Sequence, residues 1–312
     1  MKDVSGGIWG RLAGYLESWL LPSAAGVSFV ALVLLPAANH EPVVKTLSEV
    51  DTVGQAALFV LAMLLVSFLL DSVSLPLARL LEGYTLPKPL ADPLKQRQRR
   101  RWDALRAEIA AADKETALRL RGKLNSYPRS EEYLLPTRLG NALRAGETYG
   151  WEQYRISTVD LWTRLVAVAE QRTVDQIQQA RVRLDLFLAL IWLSLVLSPV
   201  TIGVSIWSGQ PALLWWLVPL VGLLPVWYGR AVAAVSWYSQ GMQAMVDLSR
   251  GKLAASLGIR LPGSIAAERR IWEAVSEYAS WGRRWSASPQ WIKTIDEALM
   301  PTGAATDDPD QG

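Results

Sequence analysis

Residues 186–229 read LFLALIWLSLVLSPVTIGVSIWSGQPALLWWLVPLVGLLPVWYG, a run of 44 residues without a single Asp, Glu, Lys or Arg. A helix rises about 1.5 Å per residue and the hydrocarbon core of a bilayer is about 30 Å thick, so one crossing takes about 20 largely apolar residues. The run is too long for one crossing and long enough for two. Ser208-Gly209-Gln210-Pro211 in its middle is turn chemistry, so the stretch predicts a hairpin of two spans, over 185–206 and 212–230. Pro219 and Pro225 are expected to kink the second of these, because each lacks the N–H that a helix ladder needs.

Working outward, residues 18–39 and 52–70 are charge-free runs of 22 and 19 residues. Each predicts one further span, 22–38 and 52–71, with Pro22, Pro36 and Pro199 near helix ends. The three runs concentrate the apolar content of a chain that is 51% hydrophobic and carries 15 Trp. The fold class that follows is all-α: a polytopic membrane protein with four transmembrane helices and a helical cytoplasmic domain. Its parts are an interfacial amphipathic helix over 1–21, spans one and two within 22–71, a cytoplasmic helical domain over 72–184, the hairpin of spans three and four over 185–230, cytoplasmic helices over 231–300 and a disordered tail over 301–312.

Orientation follows from charge, since Lys- and Arg-rich flanks stay in the cytoplasm. Residues 72–184 hold 20 Lys and Arg against 13 Asp and Glu, a balance of +7, whereas residues 40–51 hold one against three, a balance of −2. The middle segment and both termini are therefore expected inside. Trp207, Trp215 and Trp216 flank the outer turn, and Trp19, Trp227 and Trp237 fall near the inner boundary, as indoles do at headgroup level. The leading segment places Ile8, Trp9, Leu12, Leu16, Trp19 and Leu20 at helical spacing, without the compact apolar core and cleavage site of a signal peptide, and is expected to be retained and to stop at Pro22.

Helical periodicity also governs the polar segments. Trp102, Leu105, Ile109 and Ala112 predict one helix over roughly 94–124, ended by Asn125-Ser126-Tyr127-Pro128. Pro136-Thr137 begins a shorter helix expected to stop near Gly146 to Gly150, and Ser157 or Thr158 is placed to cap another that carries Leu161, Trp162, Leu165 and Val166. Val174, Ile177, Leu184, Leu188 and Ile191 advance in steps of three and four across the membrane boundary, with Arg181 at one expected apolar place. That predicts a continuous stalk packed on another helix of this chain or of a second subunit.

The run Tyr133-Leu134-Leu135-Pro136-Thr137-Arg138-Leu139-Gly140-Asn141, followed by Ala145-Gly146-Glu147 and Tyr154, resembles a family of uncharacterised bacterial four-span membrane proteins with a Leu-Pro-Thr-Arg-Leu-Gly-Asn core. The resemblance extends through Asp160-Leu161-Trp162, Ala180-Arg181, Leu184-Asp185, Leu257-Gly258-Ile259-Arg260-Leu261-Pro262, Glu268 and Trp272, over roughly 131–275. It implies the same hairpin topology in the inner, plasma membrane of a bacterium, and it implies no activity. Pro136, Thr137, Arg138, Gly140 and Asn141 read either as a binding loop or as a structural helix start.

The chemistry of the sequence is mostly exclusion. There is no Cys, hence no thiolate nucleophile and no Cys-ligated metal, and the single histidine, His40, rules out a multi-histidine metal site and reads as a cap on the outer end of span one. Phosphate-loop, dinucleotide, metalloprotease and nucleophile-elbow motifs are missing. The sequence therefore suggests no catalytic, cofactor-binding or metal-binding residues and no cofactor. Asp71, Asp185 and Arg230 stand at the predicted inner ends of spans two, three and four, where a boundary salt-bridge cluster is expected. Lys95, Arg97, Arg99, Arg100 and Arg101 form a basic run expected to meet anionic lipid of the inner leaflet. Nucleic acid is not an expected partner, because Asp103 and Glu108 lie beside the run and no aromatics interleave it. The bilayer is the expected partner, with a homo-oligomer and a cytoplasmic protein partner both compatible. An interaction or sensing module leads as the function, an oligomeric channel subunit is the alternative, and a membrane-bound enzyme comes third.

Overall fold

The computed structural model describes residues 13–38 and 41–281. Among them all helices and spans are assigned as follows: α1 (Ala13–Ala37), α2 (Pro42–Glu49), α3 (Thr52–Glu82), α4 (Lys88–Ala111), α5 (Lys114–Leu124) and α6 (Arg138–Tyr154). Then come α7 (Trp162–Val168), α8 (Gln171–Ser208), α9 (Leu217–Gly222), α10 (Leu224–Ser256) and α11 (Ile265–Trp281), with short 3₁₀ turns at Glu131–Tyr133 and Pro211–Trp216. No strand occurs among the described residues. Four helices are long and apolar enough to cross a membrane, namely Ala13–Ala37, Thr52–Glu82, Gln171–Ser208 and Pro211–Ser256. His40, the first dozen residues and the tail over 301–312 lie outside the described residues, as does most of the expected 1–21 helix.

The chain divides into two compact units. One comprises the described residues up to Gln98, Leu135–Gly140 and Gln178–Trp237, and the other comprises Arg99–Leu134, Asn141–Ile177 and the described residues from Tyr238 onward. The division does not follow 72–184 and 231–300, because α4, α6, α8 and α10 each contribute residues to both units.

In the first unit, α1 corrects one expectation. Pro22 does not stop a helix but lies inside α1, directly after a π-turn at Leu16–Leu20. There the Leu21 N–H reaches back five residues to the Leu16 carbonyl, so the backbone is already widened where the proline ring enters. The Ser23 hydroxyl donates to the Trp19 carbonyl at 2.7 Å, and the Tyr15 hydroxyl accepts from Ser67 of α3 at 2.9 Å. Trp19 is buried. Glycines allow close approach to α8: a Cβ at Gly26 would lie 3.0 Å from Leu193 Cδ2, and one at Gly14 would lie 3.0 Å from Val182 Cγ2.

α3 begins at Asp51, whose carboxylate caps the Gly54 N–H at 3.2 Å. It runs eleven residues past Asp71 to end at Gly83, which takes the left-handed conformation (φ 94°) that a helix stop favours in glycine. The fourth predicted span is interrupted as its prolines suggest, with a turn at Leu223 between α9 and α10, two residues before Pro225. Trp207, Trp215 and Trp216 are exposed near the intervening turn, where Phe29 meets Trp216 edge-on at 5.5 Å. Large apolar side chains stay uncovered along these helices: Phe68 is 63% exposed and Ile206 76%. Such contiguous apolar surface is rare on a monomer facing water.

The second unit has an ordinary apolar core, built from Ile156, Leu161, Leu165, Ile177, Met245, Val246, Leu253, Ile271 and Trp272, with Val174 packed on its edge. The predicted helix over 94–124 is two helices. Asp113 breaks it, because its carboxylate accepts from the N–H groups of Glu115 (3.0 Å) and Thr116 (3.1 Å) and so caps a new start. α6 likewise runs through Gly146 and Gly150 to Tyr154. These glycines are contact points rather than stops: a Cβ at Gly146 would lie 2.9 Å from the Ser239 Cα, and one at Gly150 would lie 2.8 Å from the Ile156 carbonyl oxygen. α7 starts later than the expected cap, at Trp162, although the Ser157 hydroxyl does hold Asp160 in the turn before it.

The apolar stripe of α8 is buried at Ile177, Leu184, Leu188 and Ile191, as its spacing predicts. Ile177 meets α10, since a Cβ at Gly241 would lie 2.6 Å from Ile177 Cγ1, so this contact is within the chain. Placing an amide there leaves it without partners in an apolar core. Ile177→Asn is therefore expected to lower stability by about 3–5 kcal/mol, read as a fall in the thermal unfolding midpoint in detergent.

Candidate functional site

Three helices of the second unit converge on a part-buried polar network. Asp247 of α10 accepts hydrogen bonds from two tyrosines of α6, Tyr149 (2.9 and 3.0 Å) and Tyr154 (2.9 Å). Burial, and then the bonds to Asp247, push both phenols above their usual range, so both remain protonated donors at neutral pH. One turn on, Arg250 lies 4.4 Å over the Tyr154 ring and pairs with Glu268 of α11 at 3.1 Å. Glu268 accepts in turn from the Trp272 indole N–H at 3.1 Å. Glu268 and Trp272 are buried.

The end of α6 is fixed by the same neighbour. Arg269 of α11 donates to the carbonyls of Glu152 and Gln153, both at 2.9 Å, capping the carbonyl end of the helix with a cation. Arg155 then takes a left-handed conformation (φ 64°), which costs a non-glycine residue of the order of 1 kcal/mol. The Ser276 hydroxyl holds it there, donating to the Arg155 carbonyl at 3.1 Å and accepting from the Ser157 N–H at 2.9 Å. Every ionisable group of this network is committed to a partner, which makes it a scaffold. Tyr154, Glu268 and Trp272 were within the resembling segments, whereas Asp247 and Arg250 carried no motif.

Beside the scaffold lies an open cleft of about 240 Å³, lined by Trp102, Arg106, Asn125, Tyr127, Arg129 and Tyr149 among others. Arg106 lies 4.4 Å over the Trp102 ring and Arg129 5.2 Å over the Tyr149 ring. No carboxylate lines it. Sequence periodicity identified Trp102 as a core residue and missed the two arginines, which sit on separate elements and meet only through the fold.

The residues singled out from the sequence are distributed as follows. Pro136, Thr137, Arg138, Gly140 and Asn141 form the start of α6. Thr137 caps it, its hydroxyl accepting from the Gly140 N–H at 3.0 Å and donating to the Glu82 carbonyl at 2.7 Å. Pro136, Gly140 and Asn141 are buried and Arg138 is exposed, so the motif forms a helix joint with the end of α3. Of the boundary charges, Asp185 takes Arg181, four residues earlier on its own helix, at 3.1 Å, and Asp71 lies within Coulombic reach of it. Arg230 is exposed and makes no ion pair with either among the described residues, where Asp185 instead takes its (i, i+4) neighbour. Lys95, Arg97, Arg99, Arg100 and Arg101 are all exposed on α4, while Gln98 and Trp102 are buried. Arg99 pairs with Glu131 at 2.9 Å. Among the described residues no group of three His, Asp or Glu is placed to hold a metal ion.

No known protein family, curated protein or solved structure matches the chain.

Proposed function

We propose that this chain is a multi-pass protein of a bacterial inner membrane, a member of the four-span group its Leu-Pro-Thr-Arg-Leu-Gly-Asn segment resembles. Both termini and the second unit face the cytoplasm, and that unit is an interaction or sensing module. The observation that carries the reading is helix continuity. α8 runs without interruption between a charge-free stretch and residues of the second unit, and α10 runs into that unit from the last residues of the hairpin, beyond the turn at Leu223, which supports a unit whose helices continue into the spans. The +7 balance of 72–184 supports the orientation. The exposed cations of α4 support contact with anionic lipid, each worth about 1 kcal/mol near such a surface. A scaffold whose charges are all partnered supports a binding role over an enzymatic one.

The chain holds no Cys, which makes the orientation simple to test. A Cys at Gly209 in the short hairpin turn is expected to react with a membrane-impermeant maleimide in intact cells, and a Cys at Glu131 only after lysis. The reverse pattern overturns the orientation. An oligomeric channel is the second reading, favoured by the uncovered apolar side chains of α3, such as Leu61 and Phe68, which a second copy would bury. Ionic current through bilayers reconstituted with the purified chain would select it.

A further inference from the structure

We infer that the cleft of the second unit binds a small phosphate-bearing anion, with Arg106 and Arg129 as its donors and Trp102, Tyr127 and Tyr149 as its walls. Four observations combine. First, the lining contains two guanidinium groups and no Asp or Glu, so its formal charge is +2. Secondly, both guanidiniums are held in place by aromatic faces rather than by acids. Arg106 lies over Trp102 and makes no ion pair among the described residues, and Trp102 is itself buried. Arg129 lies over Tyr149 and gives one of its five N–H donors to the Gln153 side chain, leaving the others for a ligand. A stacked guanidinium keeps its full charge, and its fork of donors matches phosphate oxygens.

Thirdly, the walls are positioned by the scaffold. The Tyr149 hydroxyl is tied to Asp247, so its ring cannot swing into the cleft, and the carboxylate is covered by two phenolic donors that screen it from an anion. Gln243 is held by donating to the Ala145 carbonyl at 3.3 Å. Fourthly, size limits the ligand. At about 240 Å³ the cleft falls at or below the small end of ligand sites, which suits a phosphate monoester or a phospholipid headgroup rather than a nucleoside triphosphate. The basic residues of the run Lys95 to Arg101 lie exposed along α4, and Arg99 is already paired with an acid.

The inference deepens the sensing reading and is tested independently of it, because binding by purified chain in detergent does not depend on which side of a membrane the unit faces. Inorganic phosphate and glycerol 3-phosphate are titrated into the full chain by calorimetry at constant ionic strength, with chloride as the reference anion. Saturable binding is expected, weakened about tenfold or more by Arg106→Gln and by Arg129→Gln, as loss of a charged hydrogen bond implies, and unchanged by Arg119→Gln on the exposed face of α5. Arg129→Lys, which keeps the charge, is expected to recover part of the loss, which separates a ligand contact from loss of the Gln153 bond. Repeating the glycerol 3-phosphate titration in nanodiscs identifies the source. Equal binding in phosphatidylcholine and in phosphatidylglycerol-rich discs assigns a soluble ester, and loss in the latter assigns a headgroup already in place. Absence of saturable binding over chloride, or equal binding by all the variants, overturns the site whatever the labelling at Gly209 and Glu131 reports.

Discussion

Trp272→Ala is expected to be the most damaging substitution in the second unit, lowering stability by about 3–5 kcal/mol. The indole is fully buried in an apolar cluster with Met245, Val246, Ile271 and Val275, to which α6, α7, α8, α10 and α11 all contribute. Its removal leaves a cavity that rigid helices fill poorly. It also takes a donor from Glu268, whose carboxylate is buried with Arg250 as its other partner. The two effects separate in Trp272→Phe, which keeps most of the volume and loses only the N–H, at an expected cost of about 1–3 kcal/mol. Chemical unfolding in detergent followed by circular dichroism measures both. With a typical domain stable by about 5–15 kcal/mol, the Ala variant should lose a large part of its folded margin. An Ala variant within about 1 kcal/mol of the native chain would show that this cluster is not what holds the unit together.

The parts of the fold that were legible in the sequence are those in which one physical demand repeats with a fixed period. Along α8, residues Ile177, Leu184, Leu188 and Ile191 recur every three, four or seven positions, and all four are buried. Long charge-free runs likewise marked the four apolar helices, since a single Asp or Arg would have interrupted any of them. What failed were features where one residue type serves two purposes. A glycine that ends a helix and a glycine that admits a neighbour look alike in sequence, so Gly83 stops α3 while Gly146 and Gly150 lie inside α6. Pro22 behaves in the same way, because a π-turn before it removes the conflict that would have ended the helix.

The candidate site was illegible for a different reason. Arg106, Arg129 and Tyr149 belong to separate elements, and no spacing rule connects residues that the fold alone brings together. One local anomaly was available. Residues 231–246 contain no charge, and Asp247 with Arg250 ends that silence on the same helix. A carboxylate emerging one turn from an arginine beside a long apolar run is a reason to seek buried partners. Their identity, two tyrosines nearly a hundred residues earlier and one glutamate 18 residues later, required the structure.

Gly140→Ala is expected to reverse the ordinary sign of a glycine-to-alanine change within a helix, which by propensity alone would gain about 1 kcal/mol. In α6 the added methyl would overlap the Glu82 carbonyl oxygen and lie 2.9 Å from the carbonyl carbon and 3.0 Å from Leu135 Cδ1. The obstruction is backbone at the end of α3, tied down on both sides. The Gly83 N–H is bound to the Arg79 and Leu80 carbonyls, and the Glu82 carbonyl accepts from the Thr137 hydroxyl. It cannot move without loosening the joint, so a net loss of about 1–3 kcal/mol is expected, as for overpacking elsewhere. Thr137→Val preserves size but removes the hydroxyl that caps α6 and bridges to Glu82, at an expected cost of about 1 kcal/mol. Since both changes act on one joint, the double variant should lose less than the two single losses added together. Unfolding midpoints in detergent for the three variants decide the matter. A stabilised Gly140→Ala chain, or strict additivity with Thr137→Val, would mean that the Pro-Thr-Arg-Leu-Gly-Asn segment does not dock on the end of α3, and its role as a structural joint would have to be abandoned.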